Sequence, residues 1–116
     1  MKSKKKQIRE NFRNACLKRD GYRCVMCGFK PENSEELDSH HIIDRHDIAA
    51  GGYVKENGII LCTDRSPSSP NCHLKAEQYH ITGEAYGGFA PLNLFIKIGS
   101  SEELARKAAK QLEKEN

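Results

Sequence analysis

The feature that most constrains the fold is a set of cysteines arranged as two pairs. Cys24 and Cys27 form a Cys-x-x-Cys knuckle with Gly28 directly behind it, and Cys62 and Cys72 follow later in the chain. Four thiolates hold a zinc ion in tetrahedral geometry at many structural sites in proteins. The sequence therefore predicts a closed zinc site that stabilises the fold and takes no part in chemistry.

The spacing of the second pair leaves alternatives open. The insert TDRSPSSPN separates Cys62 from Cys72 and is longer than the usual gap, but a Ser- and Pro-rich loop can bulge outward while its ends converge. The four residues could also be ordinary reduced thiols, and His73 could replace Cys72 as the fourth ligand. Cys16, on an apolar helix face, is expected to be a small buried residue.

Length and composition favour one domain with a modest core, because the chain has 116 residues of which 37% are hydrophobic. No apolar run approaches the length of a membrane span, and the N-terminus MKSKKKQIRE lacks the apolar segment of a signal peptide. We therefore expect a cytoplasmic protein without a membrane partner. In that reducing compartment cysteines serve as metal ligands more often than as disulfides.

Positive charge is concentrated at the start of the chain. Residues 1–23 hold nine Lys or Arg against two acidic residues, a net charge of +7, whereas the rest carries −4. Apolar residues at helical spacing predict a basic amphipathic helix over roughly residues 5–19. The pattern indicates a phosphate-backbone partner, and a merely solubilising tail is the alternative. The predicted nucleic-acid-binding residues are Lys4, Lys5, Lys6, Arg9, Arg13, Arg23 and Arg45.

Short elements follow the knuckle. LDSHHII has strand character at its end, through Ile42 and Ile43, and GIILC is its predicted partner strand. Asn71 is expected to cap a helix over CHLKAEQYH. Two helices follow, PLNLFIKI and, after a cap at Ser100 or Ser101, EELARKAAKQLEKEN. The residues expected to face the core are Leu92, Phe95 and Ile98 in the first and Leu104, Ala108 and Leu112 in the second.

A second group of polar residues needs a different explanation: His40, His41, Asn57, His73 and Glu77. Adjacent residues of a strand point to opposite faces, so His40 and His41 would not do the same job. His73 and Glu77 are four apart on the predicted helix and could clamp one cation with His40. His41 is then free to act as a general base with a pKa near ~6.5, and Asn57 can hold His41 or its loop. His46 and His80 are expected to face solvent, with contact to phosphate or substitution as a metal ligand as the alternative for either residue.

The ordered stretches RDGYRCVMCG, DSHHII, ENGIILC and CHLKAE resemble the HNH endonuclease family, a branch of the ββα-metal or His-Me finger nucleases, over roughly Arg19 to His80. The resemblance implies an α+β fold: a ββα-metal finger with a four-cysteine zinc-ribbon-like site, flanked by a basic N-terminal helix and C-terminal helices. The expected single domain, residues 1–116, then divides into the basic helix (1–20), the zinc-stabilised core (21–80) and a helical extension (81–116).

The resemblance also implies roles. His40 and His73 would be ligands of the catalytic cation, His41 the general base, and Asn57 the middle Asn of the family name. Glu77 stands where members often have a second His or Asn. Its carboxylate favours Mg²⁺ or Mn²⁺ over the alternatives Zn²⁺ and Ni²⁺. The chain departs from the family in its long insert before Cys72 and in lacking a Pro shortly after the His pair.

The implied activity is hydrolysis of DNA phosphodiester bonds, leaving a 5′-phosphate and a 3′-hydroxyl. Small proteins of this kind resemble those of bacteriophages and mobile elements in a bacterial or phage-infected cell. Some of these work beside the DNA-packaging terminase, and others are restriction or homing enzymes. A non-catalytic zinc-ribbon module that binds nucleic acid or a protein is the competing interpretation. It accounts for the cysteines and the basic helix but leaves the His, Asn and Glu residues unexplained as a set.

Overall fold

The computed structural model describes residues 3–115. Residues 1 and 2 of the predicted basic segment 1–20, and residue 116 of the predicted extension 81–116, lie outside the described residues. The elements in chain order are α1 (Lys4–Asp20), β1 (Leu37–His41), β2 (Gly58–Cys62), α2 (Cys72–Thr82), α3 (Pro91–Lys97) and α4 (Glu102–Glu115), with short 3-10 turns at Ser34–Glu36, Ala49–Gly52 and Lys55–Asn57. This mixed architecture confirms the predicted α+β class.

Helix α1 has signals at both ends. The hydroxyl of Ser3 accepts a hydrogen bond from the Lys6 N–H, and Gly21 closes the helix in the left-handed region at φ 71°. The helix crosses the start of β2 very closely. A Cβ atom at Gly58 would lie 2.5 Å from the ring of Phe12 and 2.6 Å from Sγ of Cys16. Only glycine therefore allows α1 to pack against this end of the strand.

The two strands form an antiparallel hairpin in which Leu37 pairs with Cys62 and His41 with Gly58. The prediction that Ile42 and Ile43 belong to the first strand is wrong, because β1 ends at His41. The backbone N–H of Ile42 donates to the Asn57 carbonyl and that of Ile43 to the Asn57 side chain. A side-chain amide thus replaces the next pair of the ladder and turns the chain away from the sheet.

Helix α2 begins as predicted. Asn71 sits in the left-handed region at φ 54°, and its side chain accepts from the Leu74 N–H. Its first residue, Cys72, follows directly, so the cap places that thiol against the end of β2. The helices α1 and α2 both contact the hairpin. Because side chains alternate along β1, His40 meets residues of α2 whereas His41 meets Phe12 of α1.

The C-terminal helices bury only part of the faces that the sequence predicts. In α3 the predicted Phe95 is buried and Ile98 packs against the core, whereas Leu94 is buried in place of Leu92, which is 69% exposed. In α4 the cap is Ser101, and the buried residues are Ala105 and Ala109 in place of the expected leucine face; Ala108 and Leu112 are half-buried and Leu104 is half-exposed. Helix α4 lies against the turns at Ala49–Gly52 and Lys55–Asn57, and this close approach favours alanine.

One hydrophobic cluster joins the elements, with Phe12 from α1, Leu61 from β2, Phe95 from α3 and Ala105 from α4 among its members. The helices and the hairpin therefore share a core. Among the described residues, no helix is both long and apolar enough to cross a membrane.

Candidate functional site

The four predicted zinc ligands lie together. The sulfur atoms of Cys24, Cys27, Cys62 and Cys72 all fall within 4.8 Å of one another, and those of Cys27 and Cys62 are 3.7 Å apart. Zn–S bonds of about 2.3 Å place the sulfurs of a tetrahedral site roughly 3.8 Å apart. No disulfide forms among them. The geometry suits a metal ion, and this cluster can hold one.

Local structure explains the convergence. Gly28, at φ 79°, donates its N–H to the Cys24 carbonyl and closes the first knuckle. Cys62 ends β2 and Cys72 begins α2, and the Cys72 N–H donates to Sγ of Cys62 over 3.3 Å. The ends of the insert between them converge as expected, but the insert turns back toward β1: the Thr63 hydroxyl donates to the Glu36 carbonyl.

The thiols of the cluster differ in how readily they ionise on their own. Burial raises the pKa of Cys27 to about 11 and raises that of Cys72 as well. Burial has the same effect on Cys62, but hydrogen bonds from Cys72 and Ser69 outweigh it and bring its pKa down to about 7. A bound cation favours the thiolates throughout such a cluster. Cys16 lies outside the group and is fully buried, as expected for a small apolar residue.

A second group of ligand atoms comes from His40, His73 and Glu77, which also fall within 4.8 Å of one another. Oε1 of Glu77 lies 3.1 Å from Nδ1 of His40 and 3.2 Å from Nε2 of His73. His40 reaches this point from β1 and is 2% exposed, whereas the other two share one face of α2. The structure places His73 here and Cys72 with the sulfurs, so it does not favour His73 as a replacement zinc ligand.

Asp38 supports this group, and the sequence analysis missed it. Its Oδ2 accepts a hydrogen bond from Nδ1 of His73 over 2.9 Å, and its Oδ1 lies 2.5 Å from the guanidinium of Arg65. Donation from Nδ1 leaves Nε2 of His73 with a free lone pair beside Glu77. The hydrogen bond from His73, with a contribution from Arg65, lowers the pKa of Asp38 to about 2 despite partial burial.

The charges of the cluster favour a cation. A hydrogen bond that the carboxylate accepts from His40 lowers the pKa of Glu77 to about 2, so this carboxylate is ionised near neutral pH. Burial lowers the pKa of His40, which keeps the ring neutral and able to ligate. Burial also opposes protonation of His73, but Asp38 and Glu77 outweigh it and raise its pKa. A metal ion here would take the place of that proton.

His80 lies beside this group of residues. The prediction that it faces solvent is wrong. Its Nε2–H donates to the His41 carbonyl over 2.9 Å, and its ring stacks on that of His40 with centroids 5.2 Å apart. His80 follows His73 by seven residues and Glu77 by three, so all three lie on one face of the helix. This spacing could have indicated the position of His80 from the sequence. His46, in contrast, is exposed as expected and pairs with Asp44.

His41 lies on the other face of β1, between two aromatic rings. Its centroid is 4.8 Å from that of Phe12 and 4.6 Å from that of Tyr53. Its Nδ1 atom is buried and has no hydrogen-bond partner among the described residues, although the nearby backbone of Gly51 favours the protonated ring. Burial and the neighbouring His40 lower the pKa of His41 to about 4, in place of the unperturbed value expected from sequence. The ring is therefore neutral at physiological pH.

Asn57 is fully buried and holds the loop that follows β1. Its Oδ1 accepts from the Ile43 N–H over 2.9 Å, and its Nδ2 donates to the carbonyls of Ile43 and Gly52. Of the two alternatives open at the sequence level, the amide thus binds the loop and makes no direct hydrogen bond to His41. A Cβ atom at Gly52 would lie 2.5 Å from Nδ2 of Asn57, so glycine is required there.

Both histidines of the pair open onto one cavity of about 260 Å³. Its lining also includes the backbone or side chains of Ser39, Asp44, Arg45, His73, Glu77 and His80. The candidate cation-binding group and His41 therefore both contribute to the lining of one cavity, together with Arg45. Such an arrangement can bind a phosphate group and move a proton beside it.

The predicted nucleic-acid-binding residues divide into two sets. Lys4, Lys5, Lys6, Arg9, Arg23 and Arg45 are exposed. Arg13 instead donates to the carbonyls of Leu37 and Ser34 over 2.9 and 2.8 Å. These bonds fix α1 to the start of β1 and use the donors that the sequence analysis assigned to phosphate. We therefore leave Arg13 out of any DNA-binding surface.

A comparison with protein families matches residues 24–78 to the family model described as HNH endonuclease. No curated protein and no solved structure matches the chain. The matched segment contains the four cysteines, the hairpin, Asn57 and the part of α2 that carries His73 and Glu77. Nucleases of this family use divalent metal ions and act on nucleic acid. Residues 24–78 thus match the model of an HNH endonuclease domain.

Proposed function

We propose that this protein is a metal-dependent endonuclease that hydrolyses phosphodiester bonds in DNA. One observation carries the proposal: the candidate cation-binding group and the neutral His41 line the same cavity. The group consists of His40, His73 and Glu77. The match to the HNH endonuclease family supports the same conclusion. The products are a 5′-phosphate and a 3′-hydroxyl, as the family resemblance implies.

The proposed cation is Mg²⁺ or Mn²⁺, with Zn²⁺ and Ni²⁺ as alternatives, held by His40, His73 and Glu77. When bound it would act as a Lewis acid toward the phosphate oxygens. Asp38 keeps the Nε2 lone pair of His73 directed at the site. Arg45, at the edge of the cavity, offers a positive charge to the incoming phosphate.

His41 takes the proton of the attacking water. A pKa of about 4 makes the free ring a weak base, but this value describes the protein without DNA. Negative phosphates close to the ring favour its protonated form and raise the pKa toward neutrality. The packing of the ring between Phe12 and Tyr53 fixes its direction, so little orientational freedom is lost in the reaction.

The four cysteines would hold a structural Zn²⁺, whose loss should unfold the domain. Because α1, the hairpin, α3 and α4 share one core, we propose that the chain works as a single domain.

The exposed basic residues of α1 would bind the DNA backbone. Helix α1 has no acidic residue in its first turn, where the positive helix end disfavours Lys4, Lys5 and Lys6, and an anionic partner accounts for their presence.

Incubation of supercoiled plasmid with the wild type and with His41→Ala, with and without added Mg²⁺ or Mn²⁺, tests the proposal. We expect cleavage by the wild type in the presence of the metal and a loss on the order of 10²–10⁴ in rate for the variant. A variant is a better control than a chelator, which would also remove structural zinc. DNA binding without cleavage by the wild type would instead support the non-catalytic zinc-ribbon module.

A further inference from the structure

A second cavity lies beside the candidate site, between the start of α1, the turn at Ala49–Gly52 and the end of α4. It measures about 500 Å³, nearly twice the 260 Å³ of the cavity at the histidines. Ile8, Ala50 and Leu112 give it an apolar part. Concave, partly apolar spaces of this size are typical of sites that enclose small ligands or single chemical groups.

The charge of this cavity selects an anionic ligand. Lys4, Lys5, Arg9 and Arg45 contribute to its lining, against the single acidic residue Glu113. The two lysines stand in the first turn of α1, where cations oppose the helix dipole and do not stabilise the helix. A concave surface with this balance of charge attracts negative groups and raises their local concentration.

An aromatic platform adds a second kind of recognition. The guanidinium carbon of Arg9 lies 5.4 Å from the ring centroid of Tyr53, and both side chains line the cavity. Nucleobases stack on tyrosine rings and on guanidinium planes, whichever base they carry. An anionic backbone and a flat apolar base are combined in a nucleotide, which matches both parts of the lining.

The cavity adjoins the candidate active site. Arg45 lines both spaces, and the ring of Tyr53 packs against that of His41 with centroids 4.6 Å apart. A DNA strand whose phosphate lies at His41 would thus pass the mouth of the second cavity. Because a base within a stacked duplex cannot enter a concave space, the base that enters must have left the stack.

We propose that this cavity, lined by Arg9, Tyr53, Ile8 and Leu112, binds one unpaired nucleotide of the DNA strand next to the scissile phosphate. The inference rests on the proposed function and narrows its substrate class. The enzyme then prefers DNA that carries a bulged or single-stranded nucleotide at the cleavage position over a fully paired duplex. Its binding energy comes from stacking on the platform and from the surrounding cations.

The test uses two labelled duplexes of the same flanking sequence, one fully paired and one with a single bulged nucleotide. Fluorescence anisotropy measures their binding to the wild type, Leu112→Glu and Leu104→Glu. Leu112 lines the cavity, whereas Leu104 is a half-exposed residue of the same helix outside that lining. Both variants therefore change the net charge equally. We expect the wild type to favour the bulged duplex by roughly 5- to 150-fold, the range that base stacking supplies.

Leu112→Glu should lose this preference and Leu104→Glu should keep it. Equal binding of the two duplexes by the wild type would overturn the inference, as would an equal loss in both variants. In a competition assay, poly-glutamate should displace the bulged duplex less well than a single-stranded oligonucleotide of matched charge does. Equal displacement by both competitors would overturn the inference in favour of an acidic peptide. Plasmid cleavage by the same preparation separates the two claims, because cleavage without bulge preference refutes this inference and leaves the nuclease standing.

Discussion

Substitution of Asp38 by Asn should weaken metal binding, although Asp38 is not one of the residues proposed to bind the cation. The carboxylate serves two donors at once, with Oδ2 accepting from Nδ1 of His73 and Oδ1 from Arg65. An amide offers one acceptor oxygen and a donor NH₂ group, so it can serve only one of the two. His73 then loses either its partner or the negative charge that strengthens it as a ligand.

Loss of such an orienting partner typically costs 10- to 100-fold in metal affinity, or about 1.4–2.7 kcal/mol. We expect this range for Asp38→Asn, because the contact is a short, charge-assisted hydrogen bond on a half-buried ring. Arg65→Gln should cost only a few-fold, since the Arg65 side chain is 47% exposed and solvent screens the pair.

Calorimetric titration with Mn²⁺ of the zinc-loaded variants measures the effect. Asp47→Asn is the matched control, because it removes the same charge from an exposed side chain outside the candidate cavity. Near-ultraviolet circular dichroism confirms that each variant is folded. A Mn²⁺ affinity of Asp38→Asn within twofold of that of Asp47→Asn would refute the positioning role of Asp38.

Three further predictions concern stability. The pKa of His41 in the folded protein, about 4, lies below its ordinary value of 6.5, so the unfolded state binds more protons between these two pH values. Urea unfolding should therefore show that the free energy of unfolding falls as the pH drops from 6.5 to 4. This fall should be less steep in His41→Gln. Stripping zinc should abolish the cooperative thermal transition seen by circular dichroism, and Cys62→Ser should unfold at a lower temperature than the wild type. Gly58→Ala should lower the free energy of unfolding by about 1–3 kcal/mol, whereas Gly87→Ala, where a Cβ meets no atom within 4 Å, should change it little.

Local signals in the sequence account for much of this fold. Asn71 caps α2 because its amide oxygen suits the first free N–H groups of a helix, and this needs no knowledge of the tertiary structure. The spacing of His73 and Glu77 on that helix likewise places them on one face. The alternation along β1 separates His40 from His41. Each of these predictions depends on a signal within a single element, either an end cap or the periodicity of its side chains.

Apart from the two predicted ligand groups, the sequence did not reveal the contacts that join distant segments. Asp38 meets Arg65 only because the insert before Cys72 folds back over β1. Ile42 and Ile43 have strand propensity, but the buried amide of Asn57 captures their backbone and ends the strand. In α4, hydrophobicity favours the leucines as core residues, whereas the close approach of the turns selects alanines.

The most direct test of the account measures single-turnover cleavage of a defined duplex by His40→Ala and His41→Ala as the Mn²⁺ concentration rises. If His40 ligates the cation, a higher concentration should restore part of the lost rate of His40→Ala. If His41 moves the proton, its variant should bind Mn²⁺ as the wild type does and stay 10²- to 10⁴-fold slower at saturation, about the contribution of a general base. Cleavage by His41→Ala at the wild-type rate under saturating Mn²⁺ would contradict the central claim.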